Sequence, residues 1–94
     1  TEKGVYFQSH LDGSLHFFTP QKSIKIQEEL GADIIFAFDE CTSPLHSYEY
    51  TQKAMERTHR WAEESLLAHQ RKDQALFGIV QGGPFADLRK KSAQ

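Results

Sequence analysis

The alternation of hydrophobic and polar positions changes period several times along the chain, and each change marks an element. Residues 4–8 (GVYFQ) and 15–18 (LHFF) are short β-rich runs. SHLDGS lies between them with an Asp12-Gly13 turn signal, so a hairpin is expected. At Thr19 the period lengthens. Thr19 suits an N-cap and Pro20 the first helical position, Ile24, Ile26, Gln27 and Leu30 follow, and Gly31 stands where helices stop. A short helix over residues 20–30 is predicted.

DIIFAFDEC at 33–41 opens with five apolar residues, 34–38, without alternation, which suits a strand covered on both faces. Asp39 falls at its C-terminal end. After a loop with Thr42, Ser43 and Pro44, a long helix is expected from about 49 to 69, with Ala54, Thr58, Trp61, Ala62 and Ser65 on its inner stripe. ALFGIV at 75–80 reads as a second buried strand, ended by Gln81-Gly82-Gly83, and Pro84 opens a further helix through Leu88.

The order hairpin, helix, strand, helix, strand, helix makes the chain α/β, with connections of the length found in βαβ units. Half a barrel and half an open sheet both fit. Two or three parallel strands leave long apolar edges unpaired, so the segment alone should be marginal or aggregation-prone.

Composition narrows the class. Ninety-four residues, 38% hydrophobic and 26% charged, suit one small globular unit and exclude a disordered chain. A net charge of −2 and a pI near 6.2 give no basic footprint, so a nucleic-acid partner would need its phosphates gripped elsewhere. The single Cys41 cannot form an internal disulfide, and there is no apolar run of about 18 residues, which together point to a reducing, cytoplasmic location. Thr1 at the start and RKKSAQ within an expected helix at the end make both ends look cut, as in an internal piece.

Asp39 and Gln81 fall at equivalent places in consecutive βα units, just past a strand's C-terminal end, the rim where α/β folds bind ligands. Taken singly, each is explained as well by a turn cap or a loop bond. Together they offer a carboxylate, which only accepts, and a carboxamide, which both donates and accepts. That combination suits the edge of a purine-like base: N1–H and the 2-amino group of a guanine donate to the carboxylate, and the amide donates to the ring carbonyl. Gly82 and Gly83 are expected to let the ligand approach the backbone closely.

Other residues invite weaker readings. His10 and Asp12 resemble a stretch of the metal-dependent amidohydrolases of the adenosine deaminase type, but their zinc pair needs His-x-His and position 8 is Gln8. The hairpin turn is preferred. Cys41 lacks a flanking lysine or histidine and is expected to line a pocket or lie buried. His46, His59 and His69 show no ligand spacing and are expected to be solvated. In MERTHRWAEES, Trp61 is assigned to the core and the charges to a wet face, in preference to a nucleic-acid patch.

GVYFQSHLDGS, TPQKSIKIQEELGADI, FAFDECTSP, MERTHRWAEES and ALFGIVQGGPFADLRKKSA resemble, in order and spacing, the central part of the queuine/archaeosine tRNA-ribosyltransferases, the tRNA-guanine transglycosylases. The resemblance covers nearly the whole chain, with 42–52 the variable part. It implies that residues 1–94 are part of a single (β/α)8 TIM-barrel domain that exchanges guanine at the tRNA wobble nucleotide for a 7-deazaguanine through a covalent enzyme–RNA intermediate. By it, Asp39 and Gln81 bind the base and Cys41 lines the pocket near its 7-substituent. FDEC is similar to the bacterial form, which implies insertion of preQ1, 7-aminomethyl-7-deazaguanine. The family's acid/base aspartate (in a DSGGFQ-like motif), its nucleophilic aspartate and its CxCxxC-plus-His zinc site do not occur here, so no catalytic residue and no metal ligand is assigned to this segment. Structural zinc, tRNA and a homodimeric partner are expected of the full-length protein. The alternatives are a non-catalytic accessory subunit of the same family and an amidohydrolase.

Overall fold

The change of period at Thr19 separates two sheets. In the computed structural model, which describes residues 1–94, β1 (Val5–Gln8) and β2 (Leu15–Phe18) pair antiparallel, with Val5 opposite Phe18 and Gln8 opposite Leu15. Gly13 adopts φ 74°, Gln8 Nε2 donates to its carbonyl at 2.9 Å, and Asp12 accepts from Ser14 N at 3.0 Å. Cross-strand rings hold the ladder, Tyr6 on Phe17 at 4.3 Å and Phe7 on Phe18 at 5.1 Å between centroids. Just before β1, a Cβ at Gly4 would lie 2.1 Å from the Phe18 carbonyl oxygen, so only glycine fits.

Helix α1 (Pro20–Leu30) begins and ends as expected. Thr19 accepts from Lys22 N at 3.1 Å, and Gly31 closes the C-terminus at φ 75°. Ile24, on its inner face, is fully buried.

β3 (Ile34–Phe36) and β4 (Ala75–Phe77) pair in parallel, joined through α2 (Tyr48–Ala68) and followed by α3 (Ala86–Ala93). The mixed α/β class is thus present, as two separate two-stranded sheets. Both parallel strands are shorter than the apolar runs that announced them and are not covered on both faces. Ile35 is buried, whereas Ile34 is 57% and Phe36 52% exposed. An unbroken apolar run signals two covering layers; the helices of this chain supply one. Phe77, Ile79 and Val80 are exposed on the same account.

On α2 the inner stripe is Thr51, Ala54, Met55, Thr58, Trp61 and Ser65, while Ala62 is only half-buried. Pro84 does not open α3 but sits in a turn closed by Phe85 N on the Gly82 carbonyl at 3.1 Å, and the helix starts two residues later. The core of Ile24, Ile35, Ala37, Met55, Trp61 and Leu88 is one layer deep, in a slab of 36 × 35 × 18 Å.

One expected open edge is partly closed. The Gln27 carboxamide donates to the Phe36 carbonyl at 3.1 Å and accepts from Phe36 N at 3.2 Å, so a side chain of α1 takes the place of a neighbouring strand.

Candidate functional site

Beyond Phe36 the chain stays tied to both neighbours. Ala37 N donates to the Phe77 carbonyl at 2.9 Å, continuing the ladder one step. Phe38 N then donates to Ser65 Oγ at 3.2 Å, and Glu40 N to Thr58 Oγ1 at 3.0 Å. The two hydroxyls stand seven residues apart, two turns along one face of α2, and catch alternate backbone amides on either side of Asp39. Phe38 packs on Trp61 at 4.9 Å between ring centroids. The segment carrying Asp39 is therefore fixed by α2, although it lies outside any strand.

Gln81 follows β4 at the corresponding place and is 6% exposed. Its backbone N–H donates to Ser92 Oγ at 2.8 Å, and its Nε2 donates to Asp39 Oδ2 at 2.6 Å. The two residues singled out in the sequence are in direct contact. A carboxylate has about four lone-pair positions, so this one bond leaves Asp39 free to accept two more donors. One N–H of the Gln81 amide also stays free.

Electrostatics separate two adjacent carboxylates. Burial pushes the Asp39 carboxyl above its ordinary range; the bond from Gln81 pulls the other way without cancelling it. Burial also opposes the charge on Glu40, but the Tyr50 hydroxyl at 2.7 Å and the Arg57 guanidinium at 2.6 Å prevail and hold its carboxyl low. Arg57 continues to Glu2 at 2.6 Å, and Trp61 Nε1 donates to the Glu2 carbonyl at 2.9 Å, tying the N-terminal segment to α2.

The glycines after Gln81 admit close packing of the chain on itself. At Gly82, φ 119°, a Cβ would stand 2.6 Å from Arg89 N, so what approaches is α3. At Gly83, φ 53°, the neighbour is the Thr51 methyl at 3.2 Å.

The remaining candidates disperse. His10 is exposed, and Asp12 is engaged by Ser14 within the hairpin loop. Cys41, expected to line a pocket or lie buried, is exposed, since no residue of this chain covers that side of the rim. His46 is exposed but accepts from Ser43 N at 3.1 Å. His59 is half-buried with Nε2 3.1 Å from Ser92 Oγ, and His69 is half-buried with its Nε2 shut off from solvent, so neither is the solvated histidine expected. Trp61, 1% exposed, is core as assigned.

Thr58, Ser65 and Ser92 went unassigned in the sequence as positioners of the rim. A signal existed for the first two: hydroxyls on a buried helical stripe must find partners, and the nearest unpaired amides belong to the loop leaving the strand. Ser92 had none, because it lies eleven residues from the amide it binds.

A cleft of about 510 Å³ lies on the other side of Glu40, between the hairpin and α2, lined by Tyr6, Tyr50, Arg57 and Trp61 among others. Asp39 and Gln81 do not line it.

Comparison with known proteins turns this geometry into a family assignment. The family described as Queuine tRNA-ribosyltransferase matches residues 1–94. The chain belongs to that family. It is 60% identical over 93 residues to a queuine tRNA-ribosyltransferase of Halothermothrix orenii, covering 99% of this chain and 25% of the relative. It is 58% identical over 94 residues to one of Desulforamulus reducens, covering 100% and 25%, and 62% identical over 92 residues to one of Herpetosiphon aurantiacus, covering 98% and 24%. The chain spans about a quarter of the length of the curated relatives it matches. Membership of the queuine tRNA-ribosyltransferase family sets the amidohydrolase reading aside.

Proposed function

We propose that this chain is the base-recognition segment of a tRNA-guanine transglycosylase that exchanges guanine at the tRNA wobble nucleotide for preQ1. The observation that carries the reading is the Asp39–Gln81 contact at the C-terminal ends of two adjacent parallel strands, within the FDEC and VQGG stretches of the family. Asp39 accepts from N1–H and the 2-amino group of the base. The free N–H of the Gln81 amide donates to the ring carbonyl. A base lacking the amino group leaves an acceptor of Asp39 unpaired, which sets the preference for guanine and 7-deazaguanines over hypoxanthine.

The proposed full-length protein closes β3 and β4 into a (β/α)8 barrel, acts in the cytoplasm and pairs as a homodimer. In its reaction a carboxylate outside this chain attacks the ribose C1′. The C1′–N9 bond breaks, a C1′–O bond forms, and the departing guanine takes a proton at N9. The incoming base loses its N9 proton, attacks C1′ and displaces the carboxylate. The residues of this chain hold the base during both halves and transfer no proton.

Zinc belongs to the proposed full-length protein as a structural ion. The residues here do not fit it: they hold no grouping of three His, Cys, Asp or Glu side chains, and the one cysteine stands exposed beside the rim.

The test is Asp39→Asn in the full-length protein, with guanine binding followed by calorimetry. Loss of a charged hydrogen bond should weaken binding by about 1.5–3 kcal/mol. Unchanged affinity would mean that Asp39 does not read the base.

A further inference from the structure

Gln81 holds its place through its backbone as well as its side chain. Its N–H donates to Ser92 Oγ at 2.8 Å, and the same oxygen lies 3.1 Å from His59 Nε2. Ser92 stands on the last turn of α3 and His59 in the middle of α2, so the hydroxyl bridges two helices and the loop after β4. Next to His59, Thr58 Oγ1 accepts from Glu40 N, beside Asp39. Consecutive residues of α2 thus anchor the two arms of the site, Thr58 directly and His59 through Ser92.

The loop needs such an anchor. Gly82 and Gly83 both take positive φ, 119° and 53°, and Phe77 is the last residue of the ladder, so no strand pairing fixes residues 78–83. Hydroxyl groups can donate and accept together. Ser92 accepts from Gln81 N and still has a proton to share with His59, so both neighbours are satisfied by one atom.

We infer that Ser92, seated on His59, is a positioning residue that sets the Gln81 carboxamide against the base. This rests on the base-reading role proposed for Asp39 and Gln81. Ser92 touches no ligand itself; it acts through Gln81, and its effect is on base binding and not on the transfer step.

The experiment is a double-mutant cycle in the full-length protein, reading KM for guanine and kcat separately from labelled-guanine incorporation into tRNA. Ser92→Ala should raise the guanine KM about 3- to 10-fold, the range of one neutral hydrogen bond, with kcat little changed. In a Gln81→Ala background the same substitution should raise it no further, because the group it positions is gone. Ser92→Thr keeps the hydroxyl and should return KM to within about twofold of the original. His59→Ala should move KM in the same direction by less. Thermal unfolding of each variant separates a lost fold from a lost anchor, and if Ser92→Ala does not fold, the Ser92→Thr and His59→Ala pair carries the test.

Equal effects of Ser92→Ala with and without Gln81, a fall in kcat at constant KM, or no effect in a folded protein would each overturn the inference. If Gln81→Ala alone leaves the guanine KM unchanged, the base-reading pair itself fails, which the cycle reports separately from any failure of Ser92.

Discussion

Asp39 carries two pH dependences of opposite sign. Burial raises its folded pKa above the ordinary 3.8, so the folded state holds the proton more tightly than the unfolded chain. The stability this contributes is present below the unfolded value and is lost as pH rises through the folded one. The proposed base binding needs the carboxylate and runs the other way. Guanine affinity of the full-length protein, titrated calorimetrically from about pH 7 to pH 4, should fall with a midpoint above the ordinary carboxylate range. Asp39→Asn should flatten that curve, and a variant that kept it would assign the titration to another group. Glu40 behaves oppositely: with its carboxyl held low despite burial, it stabilises above its unfolded value, and that contribution disappears as pH falls through the folded one. At this scale the sequence was partly legible. Asp39 and Gln81 could be found because the ends of two apolar runs put them at equivalent places. The direct bond between them could not, since it depends on the register of Ile34 opposite Ala75. The exposure of Cys41 depends on what covers the rim, which no local pattern encodes.

The elements obey local signals where the deciding contacts are local. Thr19, Pro20 and Gly31 bound α1 as their side chains and φ preferences require, and Thr19→Ala should cost about 1 kcal/mol by loss of the cap. The parallel strands are shorter than their apolar runs because a run of five or six apolar residues reports burial and not ladder length. α3 starts two residues after Pro84 because proline fits a turn as readily as a helix start. Trp61 is the clearest case of a side chain that integrates elements, reaching Phe38 with its ring and the Glu2 carbonyl with its N–H. Trp61→Ala should cost about 3–5 kcal/mol, seen as a lower urea midpoint; a loss under 1 kcal/mol would show that α2 is held mainly from elsewhere. Gly82→Ala should also destabilise, since its Cβ meets α3 backbone at 2.6 Å. The amide of Arg89 would have to move, and α3 with it.

As a whole the molecule is a slab 18 Å thick, with helices over one face of β3 and β4 and nothing over the other. The isolated chain should self-associate at micromolar concentration, visible as concentration-dependent sedimentation, and should incorporate no labelled guanine into tRNA. Monodisperse behaviour across that range would show that Gln27 closes enough of the β3 edge to protect it. The apolar run 34–38 is an aggregation-prone stretch, and its flanks are acidic: Asp33 before it, Asp39 and Glu40 after it. Charges in those positions act as gatekeepers, keeping an unavoidable sticky strand from stacking on copies of itself until β4 is made to pair with it. Synthesis at about 5–20 residues per second leaves that strand bare for seconds. If Asp39 reads the base as proposed, it serves twice, guarding the newborn chain before acting in the finished one, and a substitution at Asp39 that relaxes base choice should also lower the yield of soluble protein.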